Sequence, residues 1–220
     1  MNTLIAFFQK LGPEMLQRTV EHVYLTFLAL GIAVIIALPL GIYLTRSRWP
    51  KLVSAIMGAV GIIQTVPTLA LIAFVVLIFA LVALPTIGTL PALVALVLYA
   101  LLPILRNTYT SIRQVDPSVI EVAKGMGMTP NQILFSVELP LSLPVIMAGI
   151  RISTVWTIGI ATLCGLVGAG GLGDLILKGL RSYLMDYLLA GTVPAAVLAL
   201  LFDGILSGLE RWLTPEGLKS

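Results

Sequence analysis

The feature that most limits what this chain can become is its series of apolar stretches, each long enough to cross a bilayer. A helix rises about 1.5 Å per residue, so about 30 Å of hydrocarbon takes roughly 20 apolar residues. Residues 23–44 meet that length and end at the basic cluster Arg46, Arg48 and Lys51. Further spans are read at 90–109, 144–166 and 187–209. The stretch 52–84 is too long for one upright helix and too short for two. Pro67 sits in its middle, and a proline removes a backbone donor and displaces the turn before it. One broken or strongly tilted spanning element is expected there. Composition agrees that lipid is the solvent: 59% of the 220 residues are hydrophobic and 10% are charged, against about 45–50% and about 25% in soluble domains. The expected fold is all-α and integral to the membrane, with about five transmembrane helices in a single domain over 1–220. Residues 1–21 carry Lys10, Glu14, Arg18 and Glu21 around Gly12 and Pro13. They read as a short amphipathic segment at the interface, not as a cleavable signal peptide.

Five spans put the termini on opposite sides. With 46–51, 111–143 and the C-terminus in the cytoplasm, Arg46, Arg48, Lys51, Arg106, Arg113, Lys124, Arg151, Arg211 and Lys219 lie on the inner side. Lys10, Arg18, Lys178 and Arg181 then lie outside. Basic residues favour the cytoplasmic side, so the N-terminus is expected outside and the C-terminus inside. The net charge of +3 is small and scattered, which speaks against nucleic acid as a partner.

Several chemistries are poorly served. The one cysteine, Cys164, has no disulfide partner within the chain, and the one histidine, His22, is not clustered with other ligands, so no metal site is expected. His22 reads as a packing or interfacial residue and Cys164 as a small buried hydrophobe. An intramembrane enzyme would need a nucleophile with its base, and none is visible. A phosphate-binding G-x-x-x-x-G-K-[ST] loop is absent from the sequence. The run Gly168, Ala169, Gly170, Gly171, Leu172, Gly173 fits G-x-G-x-x-G, but that fingerprint needs a preceding strand. Here it follows a membrane span, so a flexible extracytoplasmic turn is expected.

The segment 121–140, EVAKGMGMTPNQILFSVELP, is hydrophilic yet carries helix signals. Ser118 is expected to cap a short helix from about Val119, with Glu121 as its capping-box partner. Gly125 and Gly127 are expected to end it with positive backbone angles. Thr129 then caps a second helix with Pro130 at its first position, ending before Pro140.

At these residues the chain resembles a known family. Glu121, Val122, Ala123, Gly127, Val137, Leu139 and Pro140 look like the EAA signature of ABC importer permeases, with Val122 where alanine is usual. LLPILRNTYTSI (101–112), LPVIMAGIR (143–151), ATLCGLVGAGGLGDLI (161–176) and ERWLTPEGL (210–218) resemble the osmoprotectant-uptake branch. The resemblance covers nearly all of the chain from residue 20 onward. It implies a MetI-like permease for glycine betaine, carnitine, choline or a similar quaternary ammonium compound. It implies that 111–143 is a coupling loop docking an ATPase subunit, which would hold ATP and Mg, so that this chain is not itself an enzyme and binds no cofactor. It also implies a second permease subunit, like or unlike, and a separate extracytoplasmic binding protein, since the chain stops at Ser220. Gly168, Gly170, Gly171 and Gly173 would help shape the outer gate or the binding-protein dock. The alternatives are a permease for another small amine or amino-acid-like solute, or a stand-alone channel or carrier. A carrier working alone would be expected to place several ionisable residues in its spans.

Polar groups within the bilayer are costly unless they face the bundle or a watery path. Gln64, Thr65 and Thr68 at the Pro67 break, Tyr99, and Thr154, Trp156 and Thr157 are therefore the substrate-path candidates. Aromatic faces attract quaternary ammonium groups, which favours Trp156 and Tyr99. Threonines, however, often bond back to their own helix. Arg151 and Asp203 are the charges set well inside the fourth and fifth spans. Each lies eight residues from a marker of the cytoplasmic boundary, Leu143 and Arg211. Equal depth on antiparallel helices makes an ion pair possible.

Overall fold

The structure, a computed structural model, describes residues 2–214; Met1 and residues 215–220, which include Lys219 and the end of the 210–218 tail, lie outside the described residues. Nine α-helices account for most of it. They are α1 (Asn2–Arg46), α2 (Pro50–Thr65), α3 (Thr68–Leu81), α4 (Thr89–Arg113), α5 (Pro117–Gly125), α6 (Pro130–Ile133), α7 (Leu139–Ala161), α8 (Leu172–Ser182) and α9 (Met185–Leu213). A π-helical turn, Leu134–Glu138, joins α6 to α7, and a 3-10 turn, Leu163–Val167, follows α7. No strand occurs among the described residues.

Helix α4 packs between α1 and α7, and α9 packs on α7 and α8. Apolar area drives little association in lipid, so close backbone approach through small residues takes over. Ala29, Ala33 and Ala37 recur every fourth residue on α1 and are fully buried. Gly41 continues their stripe, and a Cβ there would come within 2.8 Å of Thr108 on α4. Gly149 does the same for α7, where a Cβ would lie 2.8 Å from the Pro103 carbonyl oxygen. Two layers of core result. One joins Leu25 and Ala29 to Ile72, Val75, Phe79, Ala92, Leu96 and Cys164. The other joins Leu30, Ala33, Ala37 and Leu44 to Ala100, Ile104 and Leu105, with Val53 and Met57 of α2 against them.

Two expectations need correction, and a third, the broken element over 52–84, holds. Residues 1–21 are not a separate interfacial segment. The described part continues α1 outward, and Leu11 is buried against Leu172, Leu175, Ala190 and Ala195 of α8 and α9. A proline inside a membrane-protein helix is tolerated where neighbouring helices support it, and Pro13 therefore does not end α1. Second, the helix opened by Thr129 does not stop before Pro140. It runs through the π turn into α7, with Pro140 in the first turn of α7, where a missing donor costs least. Third, the break in 52–84 is sharper than a kink. Val66 and Pro67 are both extended, as a residue before proline prefers, and α3 turns 110° from α2. The pair still crosses the bundle once as a unit. It leaves the Arg46 end of α1, and beyond it the Gly88 amide donates to the Val167 carbonyl (2.7 Å) at the other end.

Candidate functional site: a membrane trough and its two ends

The elbow between α2 and α3 opens a cavity of about 690 Å³ against α4 and α7. Its lining includes Gln64, Thr65, Thr68, Tyr99 and Trp156, brought together from three separate spans. Breaking a helix frees carbonyls that must find donors. The Val66 carbonyl accepts from the Tyr99 hydroxyl, so Tyr99, 6% exposed, supports the elbow more than it offers a ring. Trp156 is 48% exposed and lines the cavity. Thr154 and Thr157 are not on this cavity. Both are buried, and they bond back to the Ile150 and Ser153 carbonyls at 2.8 and 2.6 Å. Ser153 instead reaches across to the Ala100 carbonyl of α4 (2.9 Å). The threonines thus satisfy their polarity within the helix.

A second cavity of about 430 Å³ adjoins the first, sharing Val155 and Trp156, and continues past Ile152 to Arg151 and Asp203. The two form one trough along α7. Arg151 meets Asp203 with Nε and Nη2 at 3.0–3.2 Å, and its Nη1 donates to Glu210 at 2.9 Å. The sequence reading missed Glu210. The signal was there, because Glu210 lies seven residues after Asp203 and so on the same helix face.

At the end of the bundle where α1 finishes and α7 begins, α5 stands clear of the spans. Asp116 is its N-cap, accepting the Ser118 amide at 2.8 Å, and Pro117 takes the first position. Ser118 is therefore not the cap, and Glu121 is not a capping-box partner. Aspartate before proline is extended and well placed to cap, and it wins over serine. These hydrogen bonds hold the Asp116 carboxyl below its usual range. Gly127 alone ends the helix in the left-handed region (φ +80°), with Met128 and Gly127 amides returning to the Ala123 and Lys124 carbonyls. Gly125 is an ordinary last helical residue. Thr129 and Gln132 form a reciprocal capping box. Ala123 faces inward, while Val119, Val122 and Met126 make an exposed apolar stripe on α5, and Phe135 is exposed nearby. Glu121 lines a small cleft with Arg46, Arg113, Lys124 and Glu138. Across it Arg46, the last residue of α1, pairs with the buried Glu138 of the π turn. Leu139 and Pro140 open α7 beside this pair.

At the opposite end, Gly168, Gly170 and Gly171 have φ of +71°, +78° and +74° and connect α7 to α8. Gly173 lies in α8, so close to the Thr162 carbonyl that a Cβ would overlap it. The turn is clasped, not loose. Glu21 accepts the Gly171 amide at 3.0 Å and pairs with Arg18 at 2.8 Å, and Arg18 reaches Asp174 at 3.2 Å. Burial pushes the Asp174 carboxyl up, which Arg18 partly counters. His22 is buried, and its Nε2 donates to the Ile158 carbonyl at 3.1 Å, one of the last of α7. Among the described residues no group of His, Cys, Asp or Glu is arranged to hold a metal.

Comparison with known proteins fits this geometry. A family model described as "Binding-protein-dependent transport system inner membrane component" matches residues 37–215. The chain is 45% identical over 219 residues to the glycine betaine/carnitine/choline transport system permease protein OpuCB of Bacillus subtilis, covering 100% of this chain and 97% of that one. It is 46% identical over 219 residues, with the same coverage, to the choline transport system permease protein OpuBB of Bacillus subtilis. Among solved structures, an inward-facing form of the MetNI methionine ABC transporter superposes with a TM-score of 0.79 at 27% identity, covering 91% of this chain and 97% of that one.

Proposed function

This chain belongs to the family of inner-membrane components of binding-protein-dependent transport systems, and from that premise we propose that its cargo is a quaternary ammonium osmoprotectant such as glycine betaine, carnitine or choline. It is a multi-pass permease subunit of MetI-like fold, and such a subunit is not itself catalytic. The observation that carries the cargo reading is full-length identity of 45–46% to permeases named for those solutes. The half-exposed Trp156 in a trough bordered by a carboxylate supports it chemically.

The partners belong to the same proposal. An ATPase subunit, carrying ATP and Mg, docks on the 111–143 region. The apolar stripe Val119, Val122 and Met126 supports this, because lipid cannot cover it so far from the spans and a protein surface can. A separate extracytoplasmic binding protein meets the turn at Gly168–Gly173, and a second permease subunit completes the path. The C-terminus is cytoplasmic and the N-terminus outside. In support, Arg18 and Lys178 at one end are paired with acids, while Arg48, Lys51 and Arg113 cluster at the other.

The test is reconstitution. The chain co-expressed with its ATPase and binding protein should co-purify with the ATPase and drive ATP-dependent uptake of labelled choline or glycine betaine into liposomes. Uptake by this chain without an ATPase would refute the subunit reading. ATP-dependent uptake of an unrelated amine alone would refute the cargo.

A further inference from the structure

The trough has two chemically different halves. Around the elbow it is uncharged, lined by Gln64, Thr65 and Thr68. Beyond Trp156 it is charged, and the charge is unbalanced. Arg151 faces two carboxylates, Asp203 and Glu210. With all three ionised the group carries one net negative charge. The guanidinium is committed: Nε and Nη2 go to Asp203 and Nη1 to Glu210. The Asp203 side chain is the more open member, 42% exposed against 28% for Arg151. Oδ2 of Asp203 accepts one hydrogen bond, at 3.2 Å, whereas Oδ1 accepts two. An ionised carboxylate oxygen has capacity beyond one bond. The cavity is therefore lined by both members of the pair, with the carboxylate the more open and the guanidinium's hydrogen bonds already directed to Asp203 and to Glu210. Across the same cavity stands Trp156, and the face of an indole ring attracts a cation best of all side chains.

Resting on the transport reading above, we infer that the inner half of the trough is a cation-selective site, in which the Trp156 ring and the Asp203 carboxylate hold a quaternary ammonium head group. Arg151 and Glu210 are positioning residues that fix the carboxylate. Such a site prefers a plain cation to a zwitterion, because a solute carboxylate would meet Asp203 and find Arg151 already engaged. The trough thus adds a filter of its own behind whatever the binding protein delivers.

The chain has three tryptophans. Trp49 and Trp212 are 72% and 77% exposed, so Trp49→Phe and Trp212→Phe leave Trp156 as the sole tryptophan of this chain, and its signal is the difference from the same complex carrying Trp156→Phe as well. The assembled complex carrying these changes is placed in lipid nanodiscs and titrated with choline, with tetramethylammonium, and with the neutral alcohol in which carbon replaces the choline nitrogen. Sodium chloride holds ionic strength constant. Saturable quenching by both cations and none by the alcohol is expected, with glycine betaine weaker than choline. Asp203→Asn should weaken choline about threefold to tenfold, the range of a partly desolvated cation contact. A silent Trp156, or equal responses to choline and its neutral analogue, overturns the site. The neutral-analogue comparison needs no change at Asp203, so it stands even if Asp203→Asn fails to assemble. A silent Trp156 in a complex that imports choline sinks the site alone. A responding Trp156 in a complex that imports none sinks the cargo reading and leaves the site.

Discussion

Removing Arg151 and removing Asp203 should not be equivalent, although the two are partners. Arg151→Leu deletes all four hydrogen bonds to Asp203 and Glu210 and strands two carboxylates on one face of α9. An unpaired charge costs roughly 2.5–3.5 kcal/mol at the centre of a spanning helix, and less toward the interface. Asp203 has partial access to the cavity, which lowers its share. A loss of about 2–3 kcal/mol follows for Arg151→Leu. Asp203→Leu leaves Arg151 still bonded to Glu210 at 2.9 Å and adds an apolar side chain to a membrane helix. Its loss should be about 1 kcal/mol, one shared charge-assisted interaction net of that gain. The assay is reversible unfolding of the purified protein in mixed micelles, followed by tryptophan fluorescence. Charge reversal extends it. Arg151→Asp and Asp203→Arg should each impair the protein. The double swap should restore only part of the loss, because the carboxylate introduced at position 151 would then face Glu210. Adding Glu210→Gln to the swap should restore more. Equal losses for the two leucine variants, or a double swap as defective as the sum of its parts, would refute a shared guanidinium.

Gly127→Val should insert normally yet lose most uptake, since a β-branched residue at φ +80° costs about 1–2 kcal/mol and disturbs the end of α5; normal uptake would remove the coupling assignment. Thr129→Ala should loosen α6 by about 1 kcal/mol through loss of the capping box, read as faster amide exchange at Asn131 and Gln132 with little change in the spans. The carboxyl of Asp116 is held below its usual range, so its capping contribution is complete above that range and is lost as pH falls through the folded-state value. Protection of the α5 amides, taken relative to their intrinsic exchange rates at each pH, should therefore fall in acid, and Asp116→Asn should flatten that dependence. Gly41→Leu should prevent α1 from meeting α4, because even a Cβ would fall 2.8 Å from Thr108, and the variant should be degraded before it assembles.

What the sequence made legible follows from which forces are local. Spans come from run length, the elbow from Pro67, and the second cap from Thr129-Pro130, each a matter of a few neighbouring residues. Asp203 and Arg151 could be matched by depth because two straight antiparallel helices turn counting into distance. Failures arose where tertiary contacts overrode local signals. Residues 1–21 looked like a separate interfacial segment until Leu11 found α8 and α9 to bury against. Thr154 and Thr157 looked like path residues by type, yet both are buried and bond back to carbonyls of α7, and helical phase cannot be read from composition. Glu138 and Arg46 are 92 residues apart, and no local rule joins them. The capping of α5 was a closer miss, decided by an Asp-Pro pair standing just before the serine that had been favoured.

The fastenings of α1 bear on how this machine can move. His22 ties it to the last turns of α7, and twenty-four residues later Arg46 ties it to the π turn that begins α7. Two rods pinned together at both ends cannot slide along each other without breaking a pin. With α4 wedged between them and α9 riveted to α7 through Arg151, these helices behave as a rigid frame. Sliding of α1 along α7 would have to break both contacts. The limb least anchored to this frame is α2, since α3 buries Ile72, Val75 and Phe79 in the core. Helix α2 has no fully buried residue, and at its corner with α3 the Tyr99 hydroxyl bonds the Val66 carbonyl. That bond ties the corner of the elbow to α4, the middle member of the frame.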